Sequence, residues 1–285
     1  MTERASVIDG TALAKNLITE LARDVAAFVR DTGITPALAL VALADDPVQR
    51  LYVHKKVVQC ERAGIRAIEC PLTRTITTDE LSAQLRRLSD DPAVDGIFLQ
   101  WPLPRTVDLA ASIEAIAPSK DIDGMRDGTF VPAAACACFA LIQSSVGTLA
   151  GLHVVVATAH DDIFARQIAR ILRDAGCTVR VAYRGDDGLP HICRSAEILI
   201  AALAAPEAVR ADWVRPGVTV IDAGMHVITD DNGRRRFVGD VNFDEVSRVA
   251  RAISPIPGGV GPVTIACLLQ NTLAAARQRR AAELR

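Results

Sequence analysis

The sequence has little lysine, few aromatic residues and almost no net charge. Of its 32 basic residues only four are Lys (Lys15, Lys55, Lys56 and Lys120), and aromatic residues make up 4%. Because the formal net charge is -2, the chain offers no general attraction to a polyanion, and we expect no nucleic-acid partner. No apolar run approaches the roughly 20 residues needed to cross a bilayer, so we expect no membrane partner.

Half of the 285 residues are hydrophobic and 23% are charged, a composition that excludes intrinsic disorder and predicts one large or two ordinary domains. The first ten residues lack the apolar core of a signal peptide. The seven Cys are odd in number and scattered through apolar contexts, which argues against a disulfide framework and predicts a cytoplasmic location. Cys136 and Cys138 lack the further ligands of a zinc site, so we expect no metal.

The amino-terminal half alternates predicted helices and strands. Apolar residues at helical spacing or in continuous runs predict helices over 9–30, 50–63 and 78–88, and strands over 37–44, 65–72 and 96–99. Gly64 is expected to stop the second helix, and Thr78-Asp79-Glu80 to start the third. This alternation indicates an α/β unit with a parallel sheet.

A second unit is predicted to follow. Apolar strands are expected over 154–156, 178–182, 198–202 and 218–223, with a helix over 163–175. This order is typical of a doubly wound, Rossmann-type sheet. A long Ala-rich helix over 263–284 then follows the Pro- and Gly-rich segment 255–262. The fold class is therefore α/β with two domains, 1–147 completed by the helix 265–285, and 148–264.

Three segments carry chemically distinctive residues in a specific order. They are Tyr52-Val53-His54-Lys55-Lys56; Asp95-Gly96-Ile97-Phe98-Leu99-Gln100-Trp101-Pro102-Leu103-Pro104 followed by Lys120-Asp121-Ile122-Asp123-Gly124; and Pro255-Ile256-Pro257-Gly258-Gly259-Val260-Gly261-Pro262-Val263-Thr264 followed by Asn271-Thr272-Leu273. Taken together, they resemble the bifunctional methylenetetrahydrofolate dehydrogenase/methenyltetrahydrofolate cyclohydrolase (FolD-type) family. The order and spacing match over nearly the whole chain.

The resemblance implies an architecture and a reaction. It implies two α/β lobes facing a cleft, with the folate against the first lobe and the nucleotide on the second, Rossmann lobe. The expected reactions are oxidation of 5,10-methylene-tetrahydrofolate with NADP or NAD, and hydrolysis of the methenyl product to 10-formyl-tetrahydrofolate. It also implies a homodimer formed through the Rossmann domain.

The same resemblance assigns roles to individual residues. It makes Lys56 the catalytic lysine, Gln100 its hydrogen-bonding partner and Asp123 the carboxylate that binds the pterin. Tyr52, four residues before Lys56 on one helix face, is expected to stack against the folate. The loop along the folate is expected to consist of Gly258, Gly259, Val260, Gly261 and Pro262.

The chemistry explains why a lysine is required at position 56. A methenyl carbon is cationic, and its hydrolysis needs a group that takes and returns protons near neutral pH. Burial lowers the pKa of a lysine into that range, whereas an arginine stays charged. In a sequence where Arg has replaced Lys almost everywhere, a retained Lys is therefore a candidate for this role.

The nucleotide half departs from the family pattern. The family has a turn of the form G-x-S-x-x-V-G-x-P after its first Rossmann strand, and this sequence has Ala159-His160-Asp161-Asp162-Ile163-Phe164-Ala165-Arg166-Gln167 there. The glycines that let a phosphate approach the backbone are absent. Asp161 and Asp162 place carboxylates where a pyrophosphate is expected, and like charges about 4 Å apart repel by roughly 1–4 kcal/mol.

Further departures lie nearby. The second nucleotide-side turn, V-G-x-P in the family, is Leu203-Ala204-Ala205-Pro206 here. Gln49 stands where the family usually has Ser, and Trp101 where an aliphatic residue is common. Arg184 is either a contact for a 2′-phosphate or an exposed loop residue.

These departures lead to one main expectation and two alternatives. We expect a folate-dependent one-carbon enzyme that acts through Lys56 and has weakened or lost NADP-dependent dehydrogenase activity. It would hydrolyse the methenyl group or transfer a methylene carbon to a second small-molecule acceptor. The first alternative is the ordinary bifunctional NADP-dependent enzyme. The second is a non-catalytic folate-binding paralogue.

Overall fold

A computed structural model describes residues 4–126, 128–229 and 233–283. The strands are β1 (Ser6–Val7), β2 (Ala37–Leu43), β3 (Arg66–Leu72), β4 (Gly96–Leu99), β5 (His153–Thr158), β6 (Thr178–Tyr183), β7 (Ile198–Ala202), β8 (Thr219–Asp222), β9 (His226–Thr229), β10 (Arg235–Val238) and β11 (Ala252–Ile253). The helices are α1 (Gly10–Thr32), α2 (Pro47–Ala63), α3 (Thr78–Asp90), α4 (Leu109–Glu114), α5 (Ala133–Ser145), α6 (Ile163–Asp174), α7 (Leu189–Arg194), α8 (Phe243–Val246) and α9 (Val260–Glu283).

The chain divides into two compact units. We call the first the six-stranded unit; it holds the described residues up to Ala14 together with Ala134–Thr264. The second, the three-stranded unit, holds Lys15–Ala133 together with the described part of α9 from Ile265 onward. The two-domain α/β class predicted from the sequence is therefore confirmed.

The three-stranded unit is built around β2. Its sheet has the order β3-β2-β4, and both pairings are parallel. All seven residues of the central strand β2 are buried, which explains its continuous apolar run. On one face of β4, Ile97 and Leu99 belong to the same apolar cluster as Leu81 and Leu85 of α3. Since side chains alternate along a strand, the residues between them project to the other face.

The start of α2 and the cap of α3 differ from the sequence prediction, whereas α3 begins at Thr78 as predicted. Helix α2 begins at Pro47, three residues before the predicted start, because the Asp46 carboxylate accepts the N–H groups of Val48 and Gln49 and proline suits the first helical turn. Helix α3 is capped by Thr77, not by the predicted Thr78, since Thr77 and Glu80 form a reciprocal capping box.

The predicted stop of α2 at Gly64 is confirmed. Gly64 has a φ of 76°, and its N–H bonds to carbonyls of the last turn. A left-handed backbone of this kind favours glycine because it has no Cβ.

The six-stranded unit has a parallel sheet of order β1-β11-β8-β7-β5-β6. Its direction of winding reverses between β5 and β7, which are neighbours in the sheet, and ligands of such folds bind where the strands end at this point. The predicted strands at 154–156, 178–182, 198–202 and 218–223 correspond to β5, β6, β7 and β8. The two-residue strands β1 and β11 and the antiparallel hairpin β9–β10 were not predicted, because such short or exposed strands leave no periodic signal.

Helix α9 begins earlier than the sequence predicts. It starts at Val260, not at residue 263, so Val260, Gly261 and Pro262 form its first turn and are not part of a loop. Proline is tolerated there because the first-turn N–H groups have no helical partner. The predicted end of this helix, Leu284, lies outside the described residues. Among the helices that are described, none combines the length and apolarity required to cross a bilayer.

A buried ion pair ties α9 to the three-stranded sheet. The Asp95 carboxylate, just before β4, is 2% exposed and accepts the N–H of Ala37 at 2.9 Å. Its other oxygen accepts Nε and Nη2 of Arg279 at 2.9 and 2.8 Å. Two nitrogens of one guanidinium thus bind the same carboxylate oxygen, and the carboxylate is largely shielded from water. The pair therefore fixes α9 against the start of β4.

We predict that Arg279→Met lowers the free energy of unfolding by about 3 kcal/mol, since it leaves a buried carboxylate without its cation. Urea denaturation measures the change. The matched control is Arg30→Met, which removes a pair with Asp31 that is 72% and 68% exposed and is expected to cost under about 1 kcal/mol. Equal costs for the two variants would contradict the prediction.

Candidate active site

The site centres on Lys56, which lies on α2 and is 6% exposed. Its Nζ donates a hydrogen bond to Oε1 of Gln100 at 2.9 Å. Gln100 directly follows β4, so the bond joins the helix to the end of the strand. The structure thus brings together the lysine and the amide that the sequence paired.

Gln100 is held so that its oxygen faces the amine. Its backbone N–H bonds to the carbonyl of Val41 at 2.8 Å, continuing the β2–β4 ladder. Its Nε2 donates to the carbonyl of Trp101 at 2.9 Å. Because the amide nitrogen is engaged there, Oε1 remains the group presented to Lys56.

Asp123 reaches the same centre on a segment with a constrained backbone. Gly124 has a φ of 67°, and a Cβ there would lie 2.6 Å from the nitrogen of Pro132, so only glycine fits. Nδ2 of Asn271 on α9 donates to the carbonyls of Ile122 at 2.8 Å and Val131 at 3.3 Å. These bonds fix the backbone at Ile122, just before Asp123, and at Val131, in the segment that packs against Gly124.

Burial shifts the pKa values of the lysine and the carboxylate toward each other. Desolvation lowers the pKa of Lys56 to about 8, and the negative charge of Asp123 opposes this. Desolvation raises the pKa of Asp123 to about 7; the nearby charge of Asp121 adds to this and Lys56 opposes it. Two groups that exchange protons near neutral pH therefore lie in one electrostatic neighbourhood, a property common at catalytic sites.

Tyr52 lies beside the amine on the same stripe of α2. Its half-buried ring centroid is 5.9 Å from Nζ of Lys56 and 5.4 Å from Nζ of Lys55. Burial raises the pKa of its hydroxyl, so the ring is neutral at physiological pH. The predicted stacking of Tyr52 on a folate stays a prediction.

Lys120 has a structural role. Its Nζ donates to the carbonyls of Leu88 at 3.2 Å and Asp91 at 2.6 Å, at the carboxyl end of α3. A cation at this end of a helix is favourable because it satisfies carbonyls that have no helical partner. The segment that carries Asp123 is therefore anchored to α3 at its first residue.

The predicted folate loop belongs to the six-stranded unit. Gly258 has a φ of 108°, and a Cβ on Gly259 would lie 2.6 Å from the carbonyl oxygen of Pro255. A Cβ on Gly10 would overlap the carbonyl of Gly259, so the start of α1 and this turn meet backbone to backbone. Both glycines at 258 and 259 are thus required by the turn itself, whatever it binds.

In the first nucleotide-side turn, an acidic residue caps the helix. The carboxylate of Asp162 accepts the N–H of Ala165 at 2.8 Å and so takes one of the donors at the start of α6. Asp161 is exposed and lies 3.4 Å from Nη1 of Arg166. The N–H of Ala159 bonds to the carbonyl of Ala202. The positive end of the helix dipole is therefore already partly satisfied by the chain's own carboxylate.

In the second turn, the backbone keeps a shape that favours glycine. Ala204 has a φ of 52°, a left-handed conformation that costs a residue with a Cβ about 1 kcal/mol. The Asp240 carboxylate accepts the N–H groups of Leu203 and Ala205 at 2.6 and 2.8 Å. Nη1 of the exposed Arg184 donates to the carbonyls of Leu203 and Ala204, both at 3.3 Å. Arg184 thus stabilises this turn, and its role toward a phosphate stays a prediction.

Two residues of this region were not assigned a role from the sequence. Asn271 lies in the third distinctive segment of the sequence, but its bonds to the carbonyls of Ile122 and Val131 exist only in the folded chain. Gln49, seven residues before Lys56 on α2, is 1% exposed; its Oε1 accepts the N–H of Leu43 at 2.9 Å and its Nε2 donates to the carbonyl of Pro102 at 2.6 Å. The sequence signal for Gln49 is its spacing: it is a polar residue on the same face of α2 as Tyr52 and Lys56.

Fold and site together define a class: a two-domain α/β protein with a Rossmann-like domain and a buried lysine–carboxylate centre. Residues 8–123 match the sequence profile of the tetrahydrofolate dehydrogenase/cyclohydrolase catalytic domain, and residues 132–280 match that of the NAD(P)-binding domain of the same family. The chain belongs to the tetrahydrofolate dehydrogenase/cyclohydrolase family.

Relatives and solved structures agree with this assignment. The chain is 41% identical over 280 residues to bifunctional protein FolD 2 of Paracoccus denitrificans, covering 95% of this chain and 92% of that protein. It superposes on the bifunctional FolD enzyme of Campylobacter jejuni with a TM-score of 0.87 and 33% identity, covering 96% and 99% of the two chains. The Trypanosoma brucei FolD structure, complexed with NADP cofactor and inhibitor, gives a TM-score of 0.89 at 32% identity, covering 97% and 99%.

The comparisons bear on the alternatives left open by the sequence. They establish a FolD-type enzyme family and so favour an enzyme over a non-catalytic paralogue. They also favour the ordinary bifunctional enzyme over one with a weakened dehydrogenase, since the second half matches an NAD(P)-binding domain. The expectation of a weakened dehydrogenase therefore rests on the altered residues of the two nucleotide-side turns, after β5 and after β7.

We predict that Lys56→Met stabilises the protein at pH 7. The folded-state pKa of about 8 lies below the ordinary value near 10.4, so the charged lysine opposes folding. Its removal is expected to raise the free energy of unfolding by on the order of 2 kcal/mol at pH 7, a gain that shrinks between pH 8 and 10.5. Urea titrations across this range measure it, with the exposed Lys55→Met as control. A loss of stability at pH 7 would contradict the prediction.

Proposed function

We propose that this chain catalyses the reactions named for its relatives, oxidation of 5,10-methylene-tetrahydrofolate and hydrolysis of 5,10-methenyl-tetrahydrofolate. The observation that carries the proposal is the buried Lys56, whose pKa is about 8 and whose amine is hydrogen-bonded to Gln100. The family assignment supports both reactions.

In the hydrolysis, Lys56 moves the protons. Its neutral amine accepts the proton that water loses on adding to the cationic methenyl carbon. The resulting ammonium then protonates the ring nitrogen whose bond to that carbon breaks. As the formyl carbonyl forms on the other nitrogen, the hydroxyl proton of the adduct passes to the amine and from there to solvent, so one proton is released overall. Gln100 holds the amine in place by accepting its hydrogen bond. A pKa of about 8 suits both steps, because neither the amine nor the ammonium is rare near neutral pH.

Asp123 is proposed to bind the pterin. As a carboxylate it accepts hydrogen bonds from the amino group and a ring N–H, and two such bonds to one carboxylate are strong and directional. Its pKa of about 7 is expected to fall on binding, because these donors favour the charged form. Tyr52 and the residues Gly258 to Pro262 are proposed to contact the rest of the folate.

For the oxidation, the nucleotide-side residues fit a dinucleotide in part. NADP, when bound, supplies the acceptor for the substrate's electrons. Arg184 lies at the carboxyl end of β6, where a guanidinium suits a 2′-phosphate, and the turn at Ala204 keeps its left-handed shape. Asp162, however, occupies the start of α6 with a negative charge. We therefore propose that dinucleotide binding is weak in this chain, so that hydrolysis outpaces oxidation.

The hydrolysis is tested by following the absorbance of methenyl-tetrahydrofolate without nucleotide. Lys56→Met is expected to slow the catalysed rate by about 10²–10⁴-fold, the usual contribution of general acid–base catalysis, while folate binding measured by calorimetry persists. Lys55→Met, one position away and exposed, is the matched control; it removes only the weakest of the charges that act on the pKa of Lys56 and is expected to change the rate far less. Equal rates for the two variants would remove Lys56 from the mechanism.

The nucleotide proposal is tested with Asp162→Ser. Serine also caps helices, so the variant removes the charge and keeps the cap. The KM for NADP in the dehydrogenase assay is expected to fall about five- to tenfold, as roughly 1 kcal/mol of repulsion is removed.

Asp174→Ser, at the other end of α6, is the control and is expected to leave this KM unchanged. A KM for NADP that is already low in the wild-type protein and does not move in Asp162→Ser would contradict weak dinucleotide binding.

Three expectations from the sequence remain proposals. We propose a homodimer formed through the Rossmann domain; the exposed Val227 and Phe237, which face each other on the hairpin β9–β10, offer an apolar surface that is consistent with it. A cytoplasmic location remains a proposal from the cysteine content. A second small-molecule acceptor would require space beside the folate, and Trp101, 37% exposed, is the residue proposed to contact it.

A further inference from the structure

The face of an aromatic ring lies against the amine of Lys56. Nζ is 4.4 Å from the ring centroid of Phe98, closer than it is to the ring of Tyr52. Phe98 is 7% exposed, so little water competes for this contact. A cation within about 6 Å of an aromatic centroid is attracted by the negative face of the ring, most strongly where both are desolvated.

The strand explains why Phe98 is there. Ile97 and Leu99 of β4 point into the apolar cluster with α3, and Phe98 is not part of that cluster. With the two-residue period of a strand, Phe98 and Gln100 share the opposite face, and Lys56 of α2 contacts both. One amine thus contacts the ring face of Phe98 in β4 and the amide oxygen of Gln100, the residue that directly follows the strand.

We propose that Phe98 is a positioning residue for the reaction at Lys56: its ring binds the ammonium form and keeps the amine directed at Gln100. The proposal rests on the function proposed for Lys56 and deepens it. Without the ring, the ammonium would be held in a dry site by Gln100, Asp123 and the more distant ring of Tyr52, and less of it would be present to return a proton.

The other groups around the amine act independently of the ring. On α2, Lys55 carries a like charge and lowers the pKa of Lys56, and the thiol of Cys60, whose pKa is raised to about 12 by burial, is neutral near pH 7. Asp123 on the 120–124 segment raises the pKa of Lys56. Tyr52 stays neutral. The ring of Phe98 acts in the same direction as Asp123 and is not charged, so its effect survives salt and can be removed without changing net charge.

The test measures the pKa of Lys56 directly. The chain has four lysines, so ¹³C labelling of their Cε atoms gives four NMR signals, and that of Lys56 is assigned by its loss in Lys56→Met. Phe98 is replaced by mono-, di- and pentafluorophenylalanine, which weaken the negative ring face at nearly constant shape. The pKa of Lys56 is expected to fall stepwise through the series, by about one unit at its end, and Phe98→Leu is expected to lower it similarly.

Controls separate this contact from packing and from the proposed function. Pentafluorophenylalanine at Phe28, a buried ring on α1, is expected to leave the pKa of Lys56 unchanged. An unchanged pKa through the series at position 98, or a pKa that rises in Phe98→Leu, would overturn the proposal. The titration needs no turnover, so it stands even if Lys56 proves not to be catalytic. The acid limb of the hydrolysis rate is expected to move to lower pH by the same amount.

Discussion

The constraint on which the rest depends is that an amine must be dry enough to release its proton and still have partners that stabilise its charge. Burial on α2 supplies the first condition for Lys56, and Asp123 and Gln100 supply the second. Neither condition alone gives an amine that takes up and releases a proton near neutral pH. A fully solvated lysine stays charged at neutral pH, and a buried one without partners loses its charge altogether. The pKa of about 8 is the balance between the two.

That balance is set by parts of the chain that are distant in sequence. The carboxylate of Asp123 is placed by Gly124, whose turn excludes a side chain, and by Asn271, almost 150 residues later, which holds the carbonyl of Ile122. The ion pair between Asp95 and Arg279 fixes α9 to the start of β4, the strand that Gln100 directly follows. Helix α9 therefore contributes to the electrostatics of the lysine, because it fixes the backbones that carry the lysine's two partners.

The scarcity of lysine takes on a physical meaning here. The proton chemistry proposed for position 56 requires a lysine, because an arginine would not titrate. Lys120 is needed for a different reason: its compact ammonium reaches the two carbonyls of Leu88 and Asp91 in a partly buried site, where a planar guanidinium has a different shape. The composition alone pointed to the lysines as a group; only the contacts distinguish the lysine proposed to move protons from the one that binds the carbonyls at the end of a helix.

The sequence predicted most of the regular structure and the three residues that surround the amine, Lys56, Gln100 and Asp123. Buried strands such as β2 and amphipathic helices such as α1 have strong periodic signals, and Lys56 and Gln100 sit in recognisable segments. The pairing of β1 with β11, by contrast, involves only two residues of each strand and is made by backbone groups. Many different side chains are compatible with it, so the sequence carries no signal for it. Gln49 and Phe98 have ordinary core spacing, and their polar or aromatic contacts depend on which residue faces them across the sheet. These contacts join residues that are far apart in the sequence, and a single sequence does not show which distant residues meet.

The two nucleotide-side turns show that losing a glycine has different consequences in different places. At Ala204 the left-handed backbone survives because Asp240 and Arg184 bind the N–H and carbonyl groups on both sides of it, which offsets a strain of about 1 kcal/mol. At the start of α6, the acidic residue Asp162 has taken a donor that a bound anion would use. The change at Ala204 preserves the shape of its turn, whereas Asp162 adds a negative charge. An effect on dinucleotide affinity is therefore expected from Asp162 and not from Ala204. Lys56, Gln100 and Asp123 lie in neither turn, so both changes leave the contacts between these three residues in place.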